Sequence, residues 1–437
     1  MAEINFRFYR EGDEKGIVDA INSSFKSFRE WGLKPETWLN YEQDDYAFKR
    51  NMALVAELNG RIVGHLHLIL RRLKMGEKVF IKTGGIANVT THPDYRGRGI
   101  ATSLMKKALD FCKKNNIPLS GLFTGYPGTA HRIYRRVGYA NTFFTYTLVS
   151  EIEEILEDVE KHAPSPTLEV KEISIDDLDT IARLYELAHE RYLGVAWRPP
   201  EYWMRKVLGE DKGYYQSFFY DKADRFLRLK ALRKGSPVGY LIGFIPKDSQ
   251  STFLPKDSGI ILELVSLHPA AAWSLLTEAV KEFNKEGLRV IRANIPLEEE
   301  YADVLKGLQI FRCGGIFMEA VPRIDLLFKE LEGEFSSRIE EAGLNMDQKI
   351  LLRTRGGRCL FKVKGNMVEV EEKDSPDIVI DVKWDEFTRM IYGIEGFWDL
   401  YIEGNAIVSG KFSRESLKLL SAMFPPMKFH IWSIDHW

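Results

Sequence analysis

One strand-then-helix pattern is written twice in this chain, and a repeat of that kind restricts the fold more than any composition figure. Residues 84–109, GGIANVTTHPDYRGRGIATSLMKKAL, can be laid on residues 259–280, GIILELVSLHPAAAWSLLTEAV. Both run from an apolar strand through His-Pro into an amphipathic helix. The flanks repeat too. INFRFYR and EGDEKGIVDAINSSFKSF are matched by LEVKEISIDDLDTIARLYELAHE, and the hairpin ALVAELNGRIVGHLHLILRRL by KGSPVGYLIGF. Asn59-Gly60 marks the first hairpin's tip, where a two-residue turn needs left-handed backbone. Strands alternating with helices predict mixed α/β sheets, one per copy. The acidic stretch SEIEEILEDVEKHAPSPT then reads as a linker. A third region of short strands and helices, from VPRIDLLFKELEGEF onward, reads as α+β. The predicted organisation is a first domain at 1–150, a linker at 151–167, a second domain at 168–318 and a third at 319–437.

The copies differ at the turn. The first places Arg96, Gly97, Arg98 and Gly99 between strand and helix, and the second places Ala270, Ala271 and Ala272 there. A helix N-terminus carries free N–H groups and about half a positive charge. Gly97 and Gly99 have no Cβ to hold a ligand off the backbone, and two arginines add donors. The first turn is thus predicted to cradle a diphosphate, and the second has lost that ability. No Gly-Lys-Ser/Thr follows, so it is not a Walker loop, and no G-x-G-x-x-G makes it a dinucleotide fingerprint. A net charge of −2 over 437 residues gives no bulk attraction to nucleic acid or anionic membrane. Three widely spaced cysteines form neither a disulfide framework nor a zinc motif, so no metal is expected and a reducing, cytoplasmic setting is. The charged N-terminus is no signal peptide, and no apolar run is long enough for a transmembrane helix.

Arg96-x-x-Gly99-x-Ala101, preceded by VTTHP and followed by a lysine-bearing helix, resembles the acetyl-CoA motif of GNAT N-acetyltransferases. The resemblance implies that Val89, Thr90 and Thr91 line the pantetheine arm. It further implies that Arg96, Gly97, Arg98, Gly99, Ile100, Ala101 and Thr102 hold the pyrophosphate. TAHRIYRRVGY resembles the family's second signature, which implies coenzyme contacts at Thr129 and Ala130 and puts Tyr134 beside the thioester sulfur. A phenol with pKa near 10 keeps its proton at neutral pH and can pass it to a departing thiolate. His92 reads as positional, and Cys112 as a core residue.

The whole chain resembles the Eis-like (enhanced intracellular survival) acetyltransferases: an active GNAT domain, a degenerate one, and a domain like sterol carrier protein. The order of WRPPEYW, LELVSLHP, RIDLL and the final FPP turn carries that resemblance. It implies that the C-terminal carboxylate, here of Trp437, enters the active site as general base. The family typically ends in phenylalanine, so the tryptophan is a departure. The apolar tail KFHIWSIDHW is suited to docking. Substrates would be cationic small-molecule amines, aminoglycoside- or polyamine-like, or protein lysines. Phe28, Glu30, Trp31 and Trp38 are the substrate-side candidates, with Asp45 nearby, since a cation site needs carboxylates and aromatic faces. The resemblance implies a homo-oligomer, a hexamer in relatives. A rival reading is a lipid or small-ligand carrier working through the third domain, which would need an apolar tunnel.

Overall fold

Asn59 and Gly60 do turn left-handed, with φ of 52° and 76°, and the hairpin they close organises the first sheet. The computed structural model describes residues 3–162, 167–208, 223–246, 257–298, 301, 309–373 and 375–437. Strands β1 (Asn5–Phe8), β2 (Ala53–Leu58), β3 (Arg61–Lys74) and β4 (Phe80–Thr91) lie antiparallel in that order. Side chains alternate across β3. Leu66 and Leu68 face helix α4 (Ile100–Lys114), whose Ile100, Leu104, Met105, Ala108 and Cys112 are buried against them. Ile69 on the opposite face joins the core under helices α1 (Glu14–Ser24), α2 (Lys26–Trp31) and α3 (Pro35–Asp44), and His65 and His67 meet the Trp38 ring there.

Strand β5 (Ser120–Gly125) runs parallel to β4 and touches it at one place. Thr83 lies opposite Leu119, and the Gly84 N–H donates to Leu119 O at 2.9 Å. Beyond that point no ladder joins their described residues, so a wedge opens between them. On its other edge β5 belongs to an eight-stranded sheet. The remaining members are β6 (Ala140–Glu151), β7 (Glu169–Glu172), β9 (Ala223–Arg233), β10 (Ser236–Pro246), β11 (Ser258–Ser266), β12 (Val290–Ala293) and β13 (Gln309–Ala320). Their order is β5-β13-β6-β12-β11-β10-β9-β7, with the two-residue β8 (Tyr192–Leu193) outside it.

That order corrects the predicted boundaries. The two copies exchange their last strands. β13, from the second copy, pairs with β5 through Gly315–Ala320 and with β6 of the first. β6 in turn pairs with β12 through Leu148–Glu151. The physical reason is burial: Ile316, Phe317 and Met318 are all 0 % exposed, and a strand apolar on both faces belongs inside a sheet. The expected linker also begins as structure. Glu151 closes β6, and helix α6 (Ile152–His162, after α5 at Thr129–Val137) buries Ile152 and Ile155. Residues 163–166, its Pro/Ser end, lie outside the described residues.

The third region is α+β, as predicted. Five strands, β14 (Gln348–Thr354), β15 (Gly357–Lys364), β16 (Met367–Glu371), β17 (Ile378–Val382) and β18 (Ala406–Gly410), take the order β16-β15-β14-β17-β18. Helix Ile324–Glu341 packs Phe328 and Phe335 onto them. Among the described residues no helix is long and apolar enough to cross a membrane.

Residues 1–150 expressed alone would lack β13 and leave β5 and β6 without their shared neighbour. We expect such a fragment to show no cooperative urea unfolding by circular dichroism; a sharp, reversible transition would contradict the exchange.

Candidate active site

The turn ahead of α4 has the shape an anion needs. Gly97 and Gly99 hold φ of 77° and 75°, and nothing lies within 4 Å of where their Cβ atoms would be. Gly99 caps the helix without a side-chain hydrogen bond. The amides of Ile100, Ala101 and Thr102 therefore open the helix at an exposed bend. Arg96 and Arg98 are exposed at its sides; Arg96 Nε reaches Thr91 O at 3.4 Å, and Arg98 lies over the Tyr95 ring. These residues fit a pyrophosphate. His92 accepts the Asp94 N–H through Nδ1 and meets Arg61 through Nε2, a positional role.

The strand before the turn is bulged. Pairing passes from His65–Thr90 to His67–Ala87, so Asn88 and Val89 face Leu66 alone, and Asn88 takes φ of 52°. Sequence reading missed this bulge, because a positive φ on asparagine leaves no pattern. Thr90 is buried and donates its hydroxyl to Ala20 O at 2.9 Å, and Thr91 O accepts from Ser24 Oγ. The Thr90 side chain thus serves α1, while at Thr91 it is the backbone carbonyl that is tied to α1. Thr129 and Ala130 are exposed at the start of α5, where Thr129 Oγ1 accepts from Arg132.

Tyr134 and Trp437 approach the wedge from opposite faces. Ile86 of β4 and Leu122 of β5 point into the core that holds Tyr134. The residues just before them on those strands, Gly85 and Gly121, point the other way, toward Trp437. A Cβ on Gly85 would lie 1.8 Å from the indole Cδ1 and Nε1, and one on Gly121 would lie 3.0 Å from its Cη2. Two glycines thus make the floor on which the indole rests. Phe317 stacks on it at 6.0 Å, and His436 stacks on Phe123 at 3.7 Å. Tyr134 is 7 % exposed, and burial pushes its phenol up to about 12. It holds a proton throughout the neutral range.

The third domain braces both. Trp384 Nε1 donates to Gly138 O at 2.8 Å, and Arg135 pairs with Asp385, which also accepts Asn141 N–H. These contacts grip the C-terminal end of the helix carrying Tyr134. The same domain delivers the tail. Lys428–Phe429 pairs with β8, His430 N–H donates to Leu193 O, and Trp432 Nε1 donates to His189 Nε2 at 3.0 Å. Nearer the end, Asp435 is taken by Arg198, whose guanidinium also holds Glu263 in a fork at 2.9 and 2.6 Å. Sequence reading quoted the segments around Arg198 and Glu263 but did not see them meet.

The substrate-side candidates separate. Glu30 is exposed and pairs with Lys26, and Phe28 and Trp31 are half-buried beside it. Trp38 is 0 % exposed among Tyr9, Phe48, His65 and His67, so its ring packs α3 rather than facing solvent. Asp45 is buried and bound by Arg71 at 2.5 Å. Its charge is neutralised inside the protein.

The second copy has no matching cradle. Helix α7 (Pro269–Lys285) starts directly at its His-Pro, the His268 ring accepts the Ala270 N–H, and Ala271 and Ala272 are 0 % exposed. Cys112 is in the core, where burial raises its thiol to about 12.

Residues 5–142 match the family model described as the acetyltransferase (GNAT) domain. An uncharacterised N-acetyltransferase of Methanocaldococcus jannaschii is 30 % identical over 138 residues, which are 31 % of this chain and 54 % of that protein. The chain thus spans about half the length of that curated relative. Among solved structures, a GCN5-related N-acetyltransferase from Anabaena variabilis aligns over 100 % of both chains with TM-score 0.71 and 14 % identity. Eis1 from Mycobacterium abscessus aligns over 99 % of this chain and 100 % of its own, with TM-score 0.60 and 16 % identity. Residues 5–142 are therefore similar to a GNAT acetyltransferase domain, and the whole-length likenesses show a shared fold.

Replacing Gly85 by alanine should cost about 1–3 kcal/mol in urea unfolding, since the indole occupies the added methyl's space. The cost should shrink in a Trp437→Ala background; equal costs in both would show that the ring does not lie on Gly85.

Proposed function

We propose that the protein is an Eis-like N-acetyltransferase that moves acetyl from acetyl-CoA to a primary amine of a cationic small molecule, aminoglycoside- or polyamine-like. The observation that carries this reading is the pair of groups facing one wedge: a protonated phenol on the cradle side and the Trp437 end of the chain on the other. The GNAT match at residues 5–142 and the whole-length likeness to Eis1 support it. The sterol-carrier-like assignment of the third domain rests on the family resemblance.

The pyrophosphate binds the amides of Gly97 to Thr102 with Arg96 and Arg98. The pantetheine arm follows the backbone of Val89 to Thr91 into the wedge. The Trp437 α-carboxylate, directly or through a water, takes a proton from the substrate ammonium. The freed amine attacks the thioester carbonyl, and the Val89 N–H stabilises the oxyanion. The C–S bond then breaks, Tyr134 gives its proton to the leaving thiolate, and the second proton of the attacking nitrogen passes through water to restore the Tyr134 phenol. No covalent enzyme intermediate forms. Holding amine and thioester together supplies up to roughly 7–11 kcal/mol. Glu30, Phe28 and Trp31 form the rim that would receive a cation.

A protein lysine would undergo the same chemistry and stands as the second acceptor class. The carrier reading has less support, because Phe328, Phe335, Phe361, Phe387 and Phe424 fill the third domain's interior.

Two measurements test the roles. Removing Trp437 alone should abolish acetylation of spermine or neomycin while acetyl-CoA binding by calorimetry stays near wild type; retained turnover would refute the base. Tyr134→Phe should lower kcat by about 10²-fold or more. Because its phenol is pushed up to about 12, the wild-type rate should show no loss from Tyr134 ionisation below about pH 10. A fall with a midpoint near pH 8 that Tyr134→Phe removes would contradict the assignment.

A further inference from the structure

We propose that Arg198 is a positioning residue for this reaction: through Asp435 it sets where Trp437 lies, and the second, cradle-less copy serves as the clamp of the tail. The proposal rests on the reading of Trp437 as the base.

The clamp is a closed ionic knot. Arg198 and both its carboxylate partners have side chains at most 1 % exposed. Its Nη1 and Nη2 bind Glu263 Oε1 and Oε2, and its Nε and Nη2 bind Asp435 at 3.1 and 2.7 Å. Tyr202 donates to Asp435 Oδ1 at 2.9 Å and to Ile434 O at 3.1 Å, and Tyr240 donates to Glu263. The guanidinium carbon lies 4.2 Å from the Tyr185 ring centre and 4.8 Å from that of Trp203. Glu263 is on β11 and Arg198 on the loop after β8, both in the second copy. Asp435 comes from the far end of the chain.

A buried ion pair of this kind is a poor stabiliser, since desolvating three charges costs about as much as their attraction returns. Apolar side chains of the same size would hold the tail as strongly. What they would lose is direction: a planar fork bound on two edges fixes its partners laterally and in rotation. Asp435 is two residues from Trp437, a chain length of at most about 7 Å, so its placement passes directly to the terminal residue. A displacement of about 1 Å at a reacting group can cost about 10²-fold in rate. Among the described residues the knot's hydrogen-bond partners are Glu263, Asp435, Tyr202 and Tyr240, none of them at the Arg96–Gly99 bend, so coenzyme binding is separable from it.

The test compares Arg198→Met, Arg198→Lys and the isosteric Asp435→Asn with the protein lacking Trp437, using acetyl-CoA and spermine. Arg198→Met and Asp435→Asn should lower kcat at about pH 7.5 by about 10²-fold, with Arg198→Lys intermediate and acetyl-CoA affinity near wild type. The deficit should shrink toward about pH 9.5, where the amine, with an intrinsic pKa near 10, increasingly loses its proton without help. A deficit equal at both pH values, or accompanied by lost acetyl-CoA binding, would be general structural damage and would overturn the proposal. So would near-normal kcat in Asp435→Asn while removal of Trp437 abolishes turnover. If removing Trp437 leaves turnover intact, the base reading itself fails. Should spermine not be acetylated, carboxypeptidase A decides the clamp: faster release of Trp437 from Arg198→Met than from wild type supports it, and equal release overturns it.

Discussion

Two parallel strands hydrogen-bond where Gly84 meets Leu119 and then part, and Tyr134 and Trp437 lie on opposite sides of that parting. An unladdered stretch of strand exposes backbone donors and acceptors that must find partners. Strand β4 runs on from the gap to the glycine bend at Arg96–Gly99. On one face the gap is closed by the Trp437 indole, which fits only because Gly85 and Gly121 have no side chains. The core residues Ile86 and Leu122 hold the same strands on the face of Tyr134. Alternation along two strands thus assigns the phenol and the tail to opposite sides.

The other parts of the chain keep that gap in shape. Strand β13 crosses from the second copy and pairs with the outer edge of β5, so one wall of the wedge is backed by residues far later in sequence. The third domain holds the end of the Tyr134 helix through Trp384 and Asp385 and sends its own tail back under the sheet. The second copy, whose helix start is covered by alanines, offers β8 and Arg198 to that tail. The second copy thus has a structural part as the seat of the tail.

Local features were legible. The left-handed turn at Asn59-Gly60, the glycine bend before α4 and the apolar stripe of that helix each follow from rules acting within a few residues. The loss of the cradle at Ala270–Ala272 was readable for the same reason. The strand exchange was not, because an apolar strand at the end of a repeat looks the same whichever sheet receives it. Trp38 and Asp45 show the limit for side chains: an aromatic and a carboxylate on a polar-looking segment could face a substrate, but burial and Arg71 claim them for the core. Asn88 carries a bulge that no spacing announces.

By itself the sequence determined the α/β repeat, the α+β third region and the bend able to hold a diphosphate, because backbone preference and helix-end electrostatics act over a few consecutive residues. Only the tertiary structure decided that the copies trade strands, that Gly85 and Gly121 seat the final tryptophan, and that Arg198, Glu263 and Asp435 meet. Those outcomes depend on which buried surfaces and charges find each other across more than a hundred residues, and a packing choice of that kind leaves no local trace.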